Sequence, residues 1–192
     1  MPLPDCILKE SGEISRAFLA KGITSFAGAY SYVKSIPYGR NENKEAVFCV
    51  FDDNCGTCGT KHALFKRLAD ENGLEGLQLV TGIYKMDNSN TPGIGNVLKN
   101  HQLEYIPEAH NYFRVGSESF DFTFPYAKAT GFEEEVLEET VINPEQITAY
   151  KVALHKNFMT RWLLANKNIN LSLGKLWEIR EECIANLSQK KK

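Results

Sequence analysis

The stretch with the greatest chemical potential is Cys55-Gly56-Thr57-Cys58-Gly59-Thr60-Lys61-His62-Ala63-Leu64-Phe65. A helix is expected to start near Thr57 or Cys58, with Phe65, Leu68 and Ala69 as its apolar face and Asn72-Gly73 as its stop. A cysteine in a first helical turn faces backbone N–H groups without intrahelical partners and the positive end of the helix dipole. Both favour the thiolate, which is the nucleophilic form. The same N–H groups suit an oxyanion, with the Cys58 N–H as first donor and Asn54 as a side-chain candidate. Gly56 and Gly59 permit close approach of backbone or substrate. The competing expectation is a small, buried, inert thiol.

A thiolate nucleophile needs a base, and the base needs an orienting group. Ala109 to Val115 and Glu118 to Phe124 read as two strands around Gly116-Ser117. A two-residue turn pairs Val115 with Glu118, and its register extended sets His110 opposite Thr123 and Tyr112 opposite Asp121. Side chains alternate faces with period two, so His110, Tyr112, Asp121 and Thr123 then share one face. His110 and Asp121 become diagonal neighbours, at roughly 7–8 Å. The other face takes Asn111, Phe113, Val115, Phe120 and Phe122, which have a core character. A three-residue loop would separate the polar set.

With these residues in view, the chain resembles the transglutaminase-like superfamily of cysteine enzymes. The resemblance is carried by Gly56-Thr57-Cys58 with Thr60-Lys61-His62-Ala63-Leu64, by Ile106-Pro107-Glu108-Ala109-His110, and by Asp121-Phe122-Thr123. It covers roughly residues 25 to 160 and is similar to a subgroup of bacterial members. It implies an α+β, cysteine-proteinase-like fold: a central helix carrying the cysteine, packed on an antiparallel sheet, with flanking N- and C-terminal helices. It implies Cys58 as nucleophile, His110 as general base and acid, and Asp121 as orienter of the imidazole, with no metal or cofactor. Many members carry a His-Ala-Trp pattern; here Asn111 and Tyr112 follow the histidine, which bears on substrate and reaction. Asn54 and Tyr112 are the candidate oxyanion or substrate contacts.

Such a triad performs covalent acyl transfer on a peptide, protein or small amide or ester. Water as acceptor makes a hydrolase and an amine makes a transferase. The order Cys, His, Asp also suits arylamine acetyltransferase-like enzymes, which are usually longer. Three other readings compete. Cys55-Gly56-Thr57-Cys58 is a C-x-x-C after an apolar run and before a helix, the context of a thioredoxin-like oxidoreductase with Cys55 as the exposed attacking thiol. Cys55, Cys58, His62 and His110 offer four zinc ligands, but no second regularly spaced pair. A binding module with an inert triad is the non-enzymatic case. His62, one turn after Cys58, is either an alternative base or a packing residue.

The elements that would position this site run helix, central helix, strands, helix. Ser11 to Lys21 and Thr24 to Ser35 read as helices closed by Ile36-Pro37-Tyr38-Gly39, and Ala46 to Phe51 as a short strand or buried connection. Leu77 to Tyr84 is a strand, Asp87 to Gly95 a loop and Val97 to Leu103 a helical turn. Past Asn143 the chain is expected to be helical from Pro144, with an apolar stripe Ile147, Tyr150, Leu154, Phe158, Trp162. A last helix runs from Ser172 to Leu187. His101 and His155 read as surface residues, Trp162 and Trp177 as core. Loops Asp87 to Gly95 and Ala127 to Glu135 are the places for substrate selection.

Runs of helices apart from runs of strands give an α+β expectation. With 192 residues, one domain is expected, its core at about 25–160 and its C-terminal helices at about 144–188. A net charge of -2 provides no basic field for nucleic acid. Met1-Pro2-Leu3-Pro4-Asp5 lacks the apolar run of a leader, and nothing approaches the roughly 20 apolar residues of a membrane span. Lys190-Lys191-Lys192 reads as a solvated end. Five scattered cysteines argue against a disulfide framework and for a cytoplasmic compartment.

Overall fold

The structure, a computed structural model, describes residue 3, residues 5–124 and residues 131–188. The chain runs α1 (Glu13–Ala20), α2 (Phe26–Ser35), α3 (Cys49–Asp52), α4 (Cys58–Glu71), β1 (Gln78–Met86), α5 (Val97–Asn100), β2 (Ile106–Val115), β3 (Glu118–Phe120), β4 (Val136–Val141), α6 (Ala149–Ala165) and α7 (Leu173–Ser188). Short 3-10 turns occupy Pro92–Ile94, Phe132–Glu135 and Pro144–Ile147. The class is α+β, with one four-stranded antiparallel sheet in the order β3-β2-β1-β4. Among the described residues no helix is long and apolar enough to cross a membrane.

The chain forms two compact units. The first holds residues up to Thr81, residues 111–124 and Thr140–Thr148; the second holds Gly82–His110, residues 131–139 and residues 149–188. Three of the boundaries fall inside strands, in β1, β2 and β4.

The first unit is built around α4. Phe18, Phe26, Val33, Leu64, Phe65, Leu68, Leu79, Phe113 and Phe122 are all buried in one apolar cluster. The start of α1 is capped by the end of α4: Ile14 and Ser15 donate their backbone N–H groups to the two Glu71 carboxylate oxygens, at 3.0 and 2.6 Å. This satisfies helix N–H groups that would otherwise be orphaned and places an anion at the positive helix end. The Glu71 side chain passes so close to Gly12 that an added Cβ would lie 2.0 Å from its Cδ.

The second unit packs α6 and α7 with the adjoining part of β2. Glu108, 5% exposed, takes both nitrogens of a bidentate Arg180 at 2.9 and 2.6 Å. His155 donates Nε2–H to the Pro107 carbonyl at 2.8 Å, and Trp177 lies against both His155 and Arg180. Burial raises the Glu108 carboxyl, but the charges of Arg180 and then His155, with the Arg180 hydrogen bonds, hold it below its ordinary value. Burial lowers His155, against the pull of Glu108.

Several expectations change. Ala46 to Phe51 is not a strand: it ends in α3, a buried connection, because Asn41 Nδ2 grips the Cys49 carbonyl and the Asp53 carboxylate at 3.0 and 2.9 Å. The second hairpin strand stops at Phe120, so Asp121 and Phe122 leave the ladder. His155 is buried, not a surface residue, and α6 buries His155, Met159 and Trp162 rather than Tyr150, which is 44% exposed. Trp177 is half-buried. Lys190 to Lys192 and positions 127–130 of the second expected selection loop lie outside the described residues.

Candidate active site

Cys58 is the first residue of α4, as its sequence context requires. Thr57 caps the helix: its Oγ1 accepts from the Thr60 N–H at 3.4 Å, and Thr60 Oγ1 accepts from the Thr57 N–H at 2.9 Å. This is the reciprocal pattern of a capping box, with a threonine in the place usually taken by Glu or Gln. Asn41 fixes the approach, accepting from Thr60 Oγ1 at 2.8 Å and donating to the Cys55 carbonyl at 2.9 Å. The two glycines have a packing role. A Cβ on Gly56 would meet Lys61 Cγ at 2.9 Å, and one on Gly59 would meet Asn111 Oδ1 at 3.3 Å.

None of the five cysteines forms a disulfide. Burial pushes Cys183 up to about 12, with Glu108 adding to it. Burial, then Asp53, raises Cys49, and burial, then Asp5, raises Cys6. These three are poor nucleophiles near neutrality, which leaves Cys55 and Cys58. Cys55 is half-buried, and its S–H donates to the Arg40 carbonyl at 3.7 Å. A carbonyl only accepts, so this contact uses the Cys55 thiol hydrogen. Cys58 instead sits at the start of α4, beside N–H groups that have no intrahelical partner.

The hairpin has the expected register: Val115 pairs with Glu118, Arg114 with Ser119 and Phe113 with Phe120 around a two-residue turn. Phe113, Val115 and Phe122 belong to the core of the first unit, with Phe120 packed against it. Asn111 is fully buried, donating to the Val80 carbonyl and Thr81 Oγ1 at 3.1 and 2.8 Å. Tyr112 is also fully enclosed, with the Arg114 guanidinium 5.6 Å from its ring.

Cys58 and Asp121 both belong to the first unit. His110 closes a segment of the second, bonded to Asn111 of the first; its ring lies 4.9 Å from Phe132 and 6.1 Å from Tyr84. Asn54 is exposed, in the left-handed region at φ 48°.

Asp121 curls onto its own segment. Its Oδ1 accepts from the Thr123 N–H at 2.9 Å and the Thr123 hydroxyl at 2.6 Å. Two α4 side chains meet that segment: Lys61, to which the sequence assigned no role, and His62. Lys61, fully buried, donates to the Ile36 carbonyl and, at 2.9 Å, to the Thr123 carbonyl. Burial pulls its ammonium down to about 8, while Asp121 and then Cys55 hold it up. His62 donates Nδ1–H to the Cys58 carbonyl at 2.7 Å and accepts at Nε2 from the Phe122 N–H at 3.4 Å. Its ring stacks on Phe122 at 4.0 Å, and Nε2 lies 3.6 Å from Asp121 Oδ1. Both ring nitrogens are engaged, so His62 is a structural bridge rather than an alternative base or zinc ligand. The available signal was two ionisable residues at the third and fourth positions after the cysteine. No family model, curated protein or solved structure matches the chain.

Proposed function

We propose that the chain is a cysteine-dependent acyl-transfer enzyme of the transglutaminase-like kind, with Cys58 as nucleophile, His110 as general base and acid, and Asp121 as orienter of the imidazole. The observation that carries this reading is Cys58 at the first position of a capped 14-residue helix whose next turn holds the Asp121 segment. The two-residue hairpin turn has the expected register as far as the Phe113–Phe120 pair, and Asp121 follows directly after that pair, outside the ladder.

In the reaction, Cys58 Sγ forms a bond to the acyl carbon. The amine or alkoxide leaves with a proton from His110. Water or an amine then gives its proton to His110 and attacks the thioester, and the thiolate departs. Helix-start N–H groups receive the oxyanion. The substrate class is a peptide, protein or small amide or ester, and no metal or cofactor is required. The redox alternative is weaker: Cys55 is engaged with the Arg40 carbonyl, and the segment before it is α3, not the strand of a thioredoxin-like site.

The test is acyl-enzyme trapping with p-nitrophenyl acetate, followed by peptide mass mapping. An acetyl adduct on Cys58 that survives Cys55→Ala, vanishes in Cys58→Ala and forms slowly in His110→Ala is expected. An adduct that follows Cys55, or none on either cysteine, would sink the reading.

A further inference from the structure

Lys61 and His62 stand at the third and fourth positions after Cys58, both fully buried in the first unit. A buried ammonium is costly, and an apolar side chain of similar volume usually serves packing better. What Lys61 does with its charge is therefore informative. It donates to two backbone carbonyls, Ile36 before the site and Thr123 two residues after Asp121. His62 completes the grip, taking the Phe122 N–H on one nitrogen and the Cys58 carbonyl on the other. The peptide groups directly after Asp121 are thus held from one helical turn, and that turn begins at Cys58. The Asp121 carboxylate is fixed in the same three-residue segment by Thr123.

We propose that Lys61 and His62 are positioning residues that clamp the Asp121–Thr123 segment to the first turn of α4 and so set where the Asp121 carboxylate points. This rests on the acyl-transfer reading above, in which that carboxylate orients the base. The hydrogen bonds that make the clamp are all to backbone groups. A neutral amine at Lys61 still has two N–H groups for its two carbonyls, so the clamp persists through loss of that proton.

The test uses the full chain with Lys61→Met, His62→Gln and Asp121→Asn. Lys61→Met and His62→Gln each remove a hydrogen bond to the Asp121–Thr123 segment through a different kind of group, so an effect common to both is positional. The first readout is hydrogen exchange at the Phe122 and Thr123 amides, expected about fivefold to tenfold faster in both clamp variants, as for loss of one hydrogen bond. Exchange in the buried middle of α4 should be unchanged, which shows that the fold is intact. The second readout is the pH profile of Cys58 alkylation. Both clamp variants should move its midpoint in the direction that Asp121→Asn moves it, and Asp121→Asn should add nothing in either background.

Wild-type exchange at Phe122 and Thr123 would overturn the clamp. Faster exchange with an unmoved profile, where Asp121→Asn does move it, would overturn the positioning role. Faster exchange with a profile that Asp121→Asn leaves unmoved would sink the orienting role of Asp121 itself, and the positioning role with it. If one clamp variant fails to fold, the other decides on the same criteria.

Discussion

The Lys61 ammonium donates to the Thr123 carbonyl at 2.9 Å, so the helix that opens with Cys58 also holds the segment that contains Asp121. That ammonium has a measurable signature. Burial lowers it to about 8 from its usual 10.5. The unfolded chain therefore binds more protons between pH 8 and 10.5, and Lys61 makes stability rise with pH in that window. Buried thiols such as Cys183 act oppositely at high pH, because burial raises them. Urea unfolding of wild type against Lys61→Met isolates the lysine: the difference should shift in favour of wild type from pH 8 to 10.5. A difference flat with pH would contradict the lowered value.

Acid should loosen the second unit. Glu108 is held below its usual value, so its contribution is present at neutral pH and lost as pH falls through its folded value. His155 is lowered by burial, so below its usual 6.5 the unfolded chain takes up the proton first, and stability falls again. Arg180→Met leaves Glu108 buried without its guanidinium and should cost about 3–5 kcal/mol in urea unfolding at neutral pH. Adding Glu108→Gln should recover part of that loss.

Thiol reactivity should divide the cysteines. With Cys183 near 12 and Cys49 and Cys6 raised, alkylation at neutral pH is expected at Cys55 and Cys58 alone in the folded chain. Peptide mapping after a brief iodoacetamide pulse reads this directly. Equal labelling of Cys183 would contradict its burial.

Gly12→Ala should weaken the docking of α1 on α4. Its Cβ would fall 2.0 Å from Glu71 Cδ, forcing the cap carboxylate away from Ile14 and Ser15. Loss of a cap costs about 0.5–2 kcal/mol. Glu71→Gln together with Gly12→Ala should lose less than the sum of the two single changes, because both act on one contact.

The site helix and the hairpin were legible because local chemistry determines them. Thr57 before Cys58 is a cap, Asn72-Gly73 a stop with Gly73 at φ 68°, and Gly116-Ser117 a two-residue turn. Other features depend on distant partners. The strand β4 escaped notice because its half-buried face carries Val136, Glu138 and Thr140, while Leu137 and Val141 are 40% and 60% exposed, an inverted apolar pattern. His155 read as a surface residue because Pro107 and Glu108, its partners, lie far off in sequence. Ala46 to Phe51 left a short strand and a buried connection both open because its propensity is visible and the grip of Asn41 is not. Lys61 carried no assigned role for the same reason, since Ile36 and Thr123 reach it only in the fold.

The central claim is that Cys58 is a nucleophile activated by His110. Its most direct test is the rate of iodoacetamide alkylation at each cysteine against pH, in wild type and His110→Ala. The expected result is fast reaction of Cys58 alone below neutral pH, lost in His110→Ala. Cys55 as the fast thiol, or a Cys58 rate no greater than a free thiol and indifferent to His110, would contradict it.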